Sequence, residues 1–243
     1  MISVLKKAAI GAAFTLATVA LSAGRVSAFT YSFDASSTSS NTTATGASAS
    51  VDFDFVDVGA DLVQLNLTFK NTTGQLPGGT FGSGATSSKL TGVAFDLFND
   101  VTFSPPTLNG ALDTFITDIA FNPFSNSLGN FDIGFADNNN FLGGNANAAL
   151  AEGEMSLATL VFNSSDNAAA LESRFQTAFN AEALKIAARF QQVNAGAGSD
   201  KLLGGTVGGL MEPPVEAEDI PEPAALGGLG LLLGYLHRRK KSA

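Results

Sequence analysis

Val51-Asp52-Phe53-Asp54-Phe55 alternates apolar side chains with carboxylates, the two-residue period of a strand with one buried and one wet face. Val63-Gln64-Leu65-Asn66-Leu67-Thr68-Phe69 repeats the pattern. With Val58-Gly59-Ala60-Asp61 as the turn, the two predict a hairpin. After a Gly-rich loop over 74–88, Val93 to Phe98 reads as a third strand, and Thr102-Phe103 leads into a break at Pro105-Pro106. Further strands are expected over 115–121, 131–135 and 155–162, separated by Asn, Asp, Gly and Pro.

One stretch changes period. Leu171, Phe175 and Phe179 recur every four residues within 168–180, with Ala178 on the same face, which predicts an amphipathic helix. Asp166 or Asn167 is its N-cap. Leu184, Ile186, Ala188 and Phe190 then alternate with Lys185, Ala187, Arg189 and Gln191, a strand again. Short strands with turn chemistry between them predict a mainly β chain, an antiparallel β-sandwich or jelly-roll-like domain over 51–203 carrying one helix. Both outer faces are expected to be wet. The Ser/Thr-rich stretch 29–50 predicts a flexible segment, and 204–219, rich in Gly, Pro and acidic residues, a linker.

Composition narrows the chemistry. There are 22 acidic and 13 basic residues, and seven of the cations lie before residue 29 or after residue 236. Only Lys70, Lys89, Arg174, Lys185, Arg189 and Lys201 remain between, so the body is strongly acidic and unsuited to nucleic acid. Cysteine is absent, which removes disulfides and thiolate chemistry. Tryptophan is absent and Phe numbers 20, so phenylalanine must carry the aromatic burial. The single histidine, His237, stands beside the terminal cations, which leaves the body without a Ser-His-Asp triad or a His-ligated zinc site. No phosphate-binding loop or dinucleotide fingerprint occurs.

Two acid-based chemistries stay open beside the plain reading of a solvated acidic face. A carboxylate pair among Asp52, Asp54, Asp96, Asp118, Glu152 and Glu154 could hydrolyse glycosides. Asp52, Asp54, Asp57, Asp61 and the run Asp137-Asn138-Asn139-Asn140 could offer oxygens to calcium, though at no recognised loop spacing. No pair stands out, so we expect no catalytic residue, cofactor or metal. Asn41, Asn66, Asn71 and Asn163 each begin an N-glycosylation pattern, which chance supplies readily in an Asn/Thr-rich sequence.

The two ends read as targeting segments. Residues 1–28 have the form of a secretory signal peptide: Lys6-Lys7, an apolar run over 8–21, then Val26-Ser27-Ala28, which places cleavage between Ala28 and Phe29. At the other end, Pro221-Glu222-Pro223 is stiff and extended. The apolar run from Ala224 to Leu236 is short of the ~20 residues of a stable span. Arg238-Arg239-Lys240-Lys241 then stops transfer and fixes the tail end in the cytoplasm.

This order of parts over 220–243 resembles the PEP-CTERM sorting signal of Gram-negative bacteria, cyanobacteria included. The resemblance implies recognition of Pro221, Glu222 and Pro223 by an exosortase-like membrane transpeptidase, after export by the general secretion machinery and signal peptidase. It implies transient anchoring in the inner membrane through the C-terminal segment, then a destination in the cell envelope or outside the cell, often beside exopolysaccharide. The strand segments 65–71 and 184–191, the latter followed by Gly198-Ser199-Asp200-Lys201, also look like those of other PEP-CTERM cargo, with no catalytic residues implied. The expected protein is a non-catalytic surface or matrix protein. The alternative is a carbohydrate-binding or glycan-active module with the same address.

Overall fold

A computed structural model describes residues 26–138, 141 and 146–208. The strands, in chain order, are β1 (Val26–Phe33), β2 (Thr38–Ser39), β3 (Ala49–Gly59), β4 (Leu62–Asn71), β5 (Lys89–Phe95), β6 (Thr102–Phe103) and β7 (Thr107–Asn109). They continue with β8 (Thr114–Ile119), β9 (Phe131–Ala136), β10 (Leu150–Ala151), β11 (Met155–Asn163), β12 (Ile186–Gln191), β13 (Asp200–Leu203) and β14 (Thr206–Val207). A one-turn helix α1 (Ser125–Leu128) and the 13-residue α2 (Ala168–Asn180) complete the set, with a 3-10 turn at Ala146–Ala148.

The fold is mainly antiparallel β, in two sheets. One runs β14-β1-β3-β4-β11-β6, with β7 also on β11; the other runs β2-β13-β12-β5-β9-β8, with β10 also on β5. The sheets pack face to face, as in a β-sandwich. Phe69 of the first meets Phe135 of the second at 5.0 Å between ring centroids, and Phe53 meets Phe95 at 5.4 Å. The hairpin expected over 51–69 forms as β3 and β4, pairing Phe53 with Leu67 and Phe55 with Leu65, with Asp61 at φ 57° in its turn.

Helix α2 lies where expected. Asn167 caps it by accepting the Ala170 amide at 2.9 Å, and Asp57 from β3 accepts the Ala168 amide at 2.7 Å. Its Phe stripe enters the core. Phe175 sits 5.6 Å from Phe55, and Phe179 lies 5.4 Å from Tyr31, 5.5 Å from Phe53 and 6.4 Å from Phe95.

Three expectations are corrected. The stretch 29–50 is not a flexible segment: Phe29, Tyr31 and Phe33 are core residues of β1, and Thr45, Ala47 and Ser48 are fully buried. A side chain 155 to 161 positions away does the ordering. The buried Asp200 carboxylate accepts the Ser39 hydroxyl at 2.6 Å and both the amide and hydroxyl of Thr45 at 2.9 Å. The boundary near 204 also moves outward, because Val207 pairs with Tyr31 and Thr206 with Ser32 on β1.

The third correction concerns the second sheet, whose outer face is not wet. Phe121, Phe124, Phe131 and Phe141 cover it, packed on Ala94, Ala136 and Ala187. β5, β12 and the part of β9 from Ile133 onward are therefore buried on both sides. Gly92 and Gly134 make room for the cover, since a Cβ on either would stand 2.5 Å or 2.8 Å from the Phe141 ring.

Candidate functional site

The larger concavity, about 340 Å³, opens where the loop after β5 meets β8 and β9, with Leu97, Phe98, Val101 and Phe103 as apolar wall and Asn99, Thr117, Asp118 and Asp132 as polar groups. One of its carboxylates is tied to the backbone and the other to a side chain. Asp132 accepts the Leu97 amide at 2.7 Å, and Asp118, at φ 55°, accepts the Asn130 side-chain amide at 2.8 Å. Behind the wall, Asp96 accepts the Lys185 amide at 3.0 Å. Arg174 lies 4.2 Å from the Phe98 ring centroid and pairs with Asp100 and Asp166. The arrangement offers oxygens and an apolar wall to a hydroxyl-rich ligand, while the Asp132 carboxylate clamps the loop after β5.

A second pocket of about 110 Å³ lies between β1, β12 and the end of α2, with Tyr31, Phe179, Glu182 and Lys185 among its lining. Burial, then the charges of Glu182 and Asp34, hold the Tyr31 hydroxyl far above the ordinary phenol range. It stays a neutral phenol.

The outer face of the first sheet is a polar ladder. Thr30 donates to Asp52 at 2.7 Å; Asn66 donates to Asp54 at 3.1 Å and accepts from Gln64 at 2.8 Å and Thr159 at 3.1 Å. Beside it on β11 stand the exposed Met155 and Leu157.

The sequence candidates scatter across these places. Asp52 and Asp54 sit on the ladder, Asp96 and Asp118 beside the cleft, and Glu152 and Glu154 in the turn before β11, where Glu154 accepts the Ala151 amide at 2.8 Å. The structure brings Asp118 together with Asp132, a residue not singled out although the alternation Phe131-Asp132-Ile133 marks its outward side chain. Of the calcium candidates, Asp57 is spent on α2, and Asn139 and Asn140 lie outside the described residues. Among the described residues no three His, Cys, Asp or Glu side chains form a metal-binding group. Asn71 is buried, its amide donating to Ser88 O at 2.9 Å and Leu150 O at 3.0 Å, so its glycosylation pattern is sterically closed. Ala28 and Phe29 lie in β1. Pro221, Glu222, Pro223, Arg238, Arg239, Lys240 and Lys241 lie outside the described residues. Among the described residues no helix is long and apolar enough to cross a membrane.

Burial raises Asp96, with Asp132 adding to it, and burial raises Asp137. Both bind a proton more tightly folded than unfolded, so their contribution is full below the ordinary carboxylate range and is lost as pH rises through the raised values. Asp100, lowered by its hydrogen bond to Arg174, works oppositely and loses its contribution as pH falls through the lowered value. The urea midpoint is therefore expected to be higher at pH 5 than at pH 8, with Asp96→Asn narrowing the difference. A midpoint climbing steadily from pH 5 to pH 8 would contradict this.

What the fold and its sites define is a two-sheet antiparallel β protein with a clamped acidic cleft and one polar face. Compared with protein-family models, curated proteins and solved structures, the chain matches none.

Proposed function

We propose that this is an exported, non-catalytic protein of the cell surface or extracellular matrix, sorted and C-terminally processed by an exosortase-like membrane enzyme. The order of parts over 220–243 carries the reading: a stiff Pro-Glu-Pro, a marginal apolar segment, four cations. The fold fits an anchored body. β14 runs antiparallel to β1, and the Gly208 amide donates to Thr30 O at 2.7 Å, so the chain leaves the sandwich at the end where Ala28 enters it. Leader and tail can then reach one membrane from one end of the body. The carboxylates tied to backbone amides support a structural rather than a catalytic role. The jelly-roll-like reading is supported by the long crossovers between sheets, from β4 to β5 and from β11 through α2 to β12.

The mass of the mature protein from cell and medium fractions tests this. The wild type is expected to start at Phe29 and to lack the residues after the Pro221-Glu222-Pro223 region, whereas replacing those three by Ala leaves Ala243 in place in the membrane fraction. Cytosolic protein with Met1 and Ala243 both intact would end the proposal. The second reading, a carbohydrate-binding module, is favoured by the Thr30–Asp52 and Asp54–Asn66–Thr159 ladder. It requires glycan binding that Asn66→Ala abolishes.

A further inference from the structure

The charged side chains of the ladder are not equally satisfied. Asp52 Oδ1 takes the Thr30 hydroxyl and Asp57 Oδ1 the Ala168 amide, both at 2.7 Å. Asp54 uses Oδ2 for Asn66, but its Oδ1 is buried with no hydrogen-bond partner. A buried carboxylate oxygen without a donor is costly, and such a group calls for an explanation. The register supplies one. Ala28 is the β1 residue directly opposite Asp54, and Phe29 is opposite Phe53. Directly opposed residues of an antiparallel pair have Cβ atoms about 4.5–5.5 Å apart. The bond expected to be cut by signal peptidase thus lies beside a carboxylate oxygen that lacks a donor.

We propose that removal of residues 1–28 completes the fold by creating an ion pair between the new Phe29 α-ammonium and the Asp54 carboxylate. The inference rests on the export reading, specifically on cleavage between Ala28 and Phe29. In that step one water is consumed and the Ala28–Phe29 C–N bond breaks. The carboxylate departs on Ala28, and the Phe29 nitrogen takes up protons to become an ammonium with three donors. The terminus does not have to be searched for. The Phe29 ring is fully buried and stacked on Phe53 at 4.9 Å, so the backbone nitrogen is held at the strand end. Losing Ala28 also removes the methyl standing beside Asp54, opening the space the ammonium needs. The charged groups on the neighbouring strands are Asp52, Asp54 and, turned to the Ala168 amide, Asp57 on β3, and, two rows away, Lys70 on β4; β14 contributes none. The local field therefore favours a cation. Before cleavage Asp54 is a defect in the sheet, and afterwards it is a lock.

The test uses exported, processed protein recovered from the host. Its N-terminus is sequenced and the rate of α-amine acylation is followed against pH, in wild type, Asp54→Asn and the control Asp52→Asn. An amine paired with Asp54 stays protonated to higher pH, so the wild type is expected to react about fivefold more slowly than Asp54→Asn at pH 7, the ratio closing at high pH. Asp52→Asn is expected to have a much smaller effect. A terminus other than Phe29 overturns both the cleavage reading and this inference. A Phe29 terminus whose wild-type amine titrates in the ordinary α-amino range overturns the inference alone, and needs no Asp54→Asn protein.

Discussion

Asp200→Ala is expected to cost about 3–4 kcal/mol, because it strips the acceptor from the buried amide and hydroxyl of Thr45 and from the Ser39 hydroxyl. Neutral donors from β2 and the loop after it hold the buried carboxylate, so those donors and Asp200 depend on one another. Against a total of about 5–15 kcal/mol for a domain, that is a large fraction. The stretch over 34–48 would come loose first, since few apolar side chains fix it once the clamp is gone. Urea denaturation measures the loss, and limited proteolysis should show new cuts within 34–48. Asp200→Asn keeps one acceptor oxygen and is expected to lose less. A change under about 1 kcal/mol for the alanine variant would mean the clamp does not organise this edge.

Phe179→Ala should be as damaging, at about 3–5 kcal/mol, for a different reason. Its ring touches Phe29, Tyr31 and Phe53 of the first sheet and Phe95 of the second, so truncation opens a cavity where helix and both sheets meet. Rings from three elements cannot all collapse into that space. Met155→Ala, at a side chain 61 % exposed on β11, is the matching control and should change stability little. Calorimetry on the two variants gives the comparison. Equal midpoints would show that the helix merely covers the sandwich and is no part of its core.

These two sites differ in how far they could be read from the chain. Phe179 announces itself through its spacing from Leu171 and Phe175, and the helix falls at 168–180 as that spacing predicts. Asp200 does not. Within Gly198-Ser199-Asp200-Lys201 it looks like a turn residue, and nothing local shows that it is buried or that residues 39–45 are its partners. The same limit hid β2, β13 and β14, which are too short to display a period, and β1, whose first residues also read as a cleavage signal. Of the candidate sites, Asp96 and Asp118 could be named as outward carboxylates, but their shared neighbour Asp132 emerged only when β8 and β9 paired.

The chain alone determined the mainly β class, the β3–β4 hairpin, the helix with its Phe stripe and the dependence on phenylalanine, because each is written in the period of neighbouring side chains. The tertiary structure decided which polar stretches are ordered, which sheet face is covered, and that Asp54 keeps a carboxylate oxygen without a donor. Those outcomes depend on contacts between different elements, such as Asp200 with Thr45 at 155 positions' separation, and a periodic pattern carries no information about distant partners.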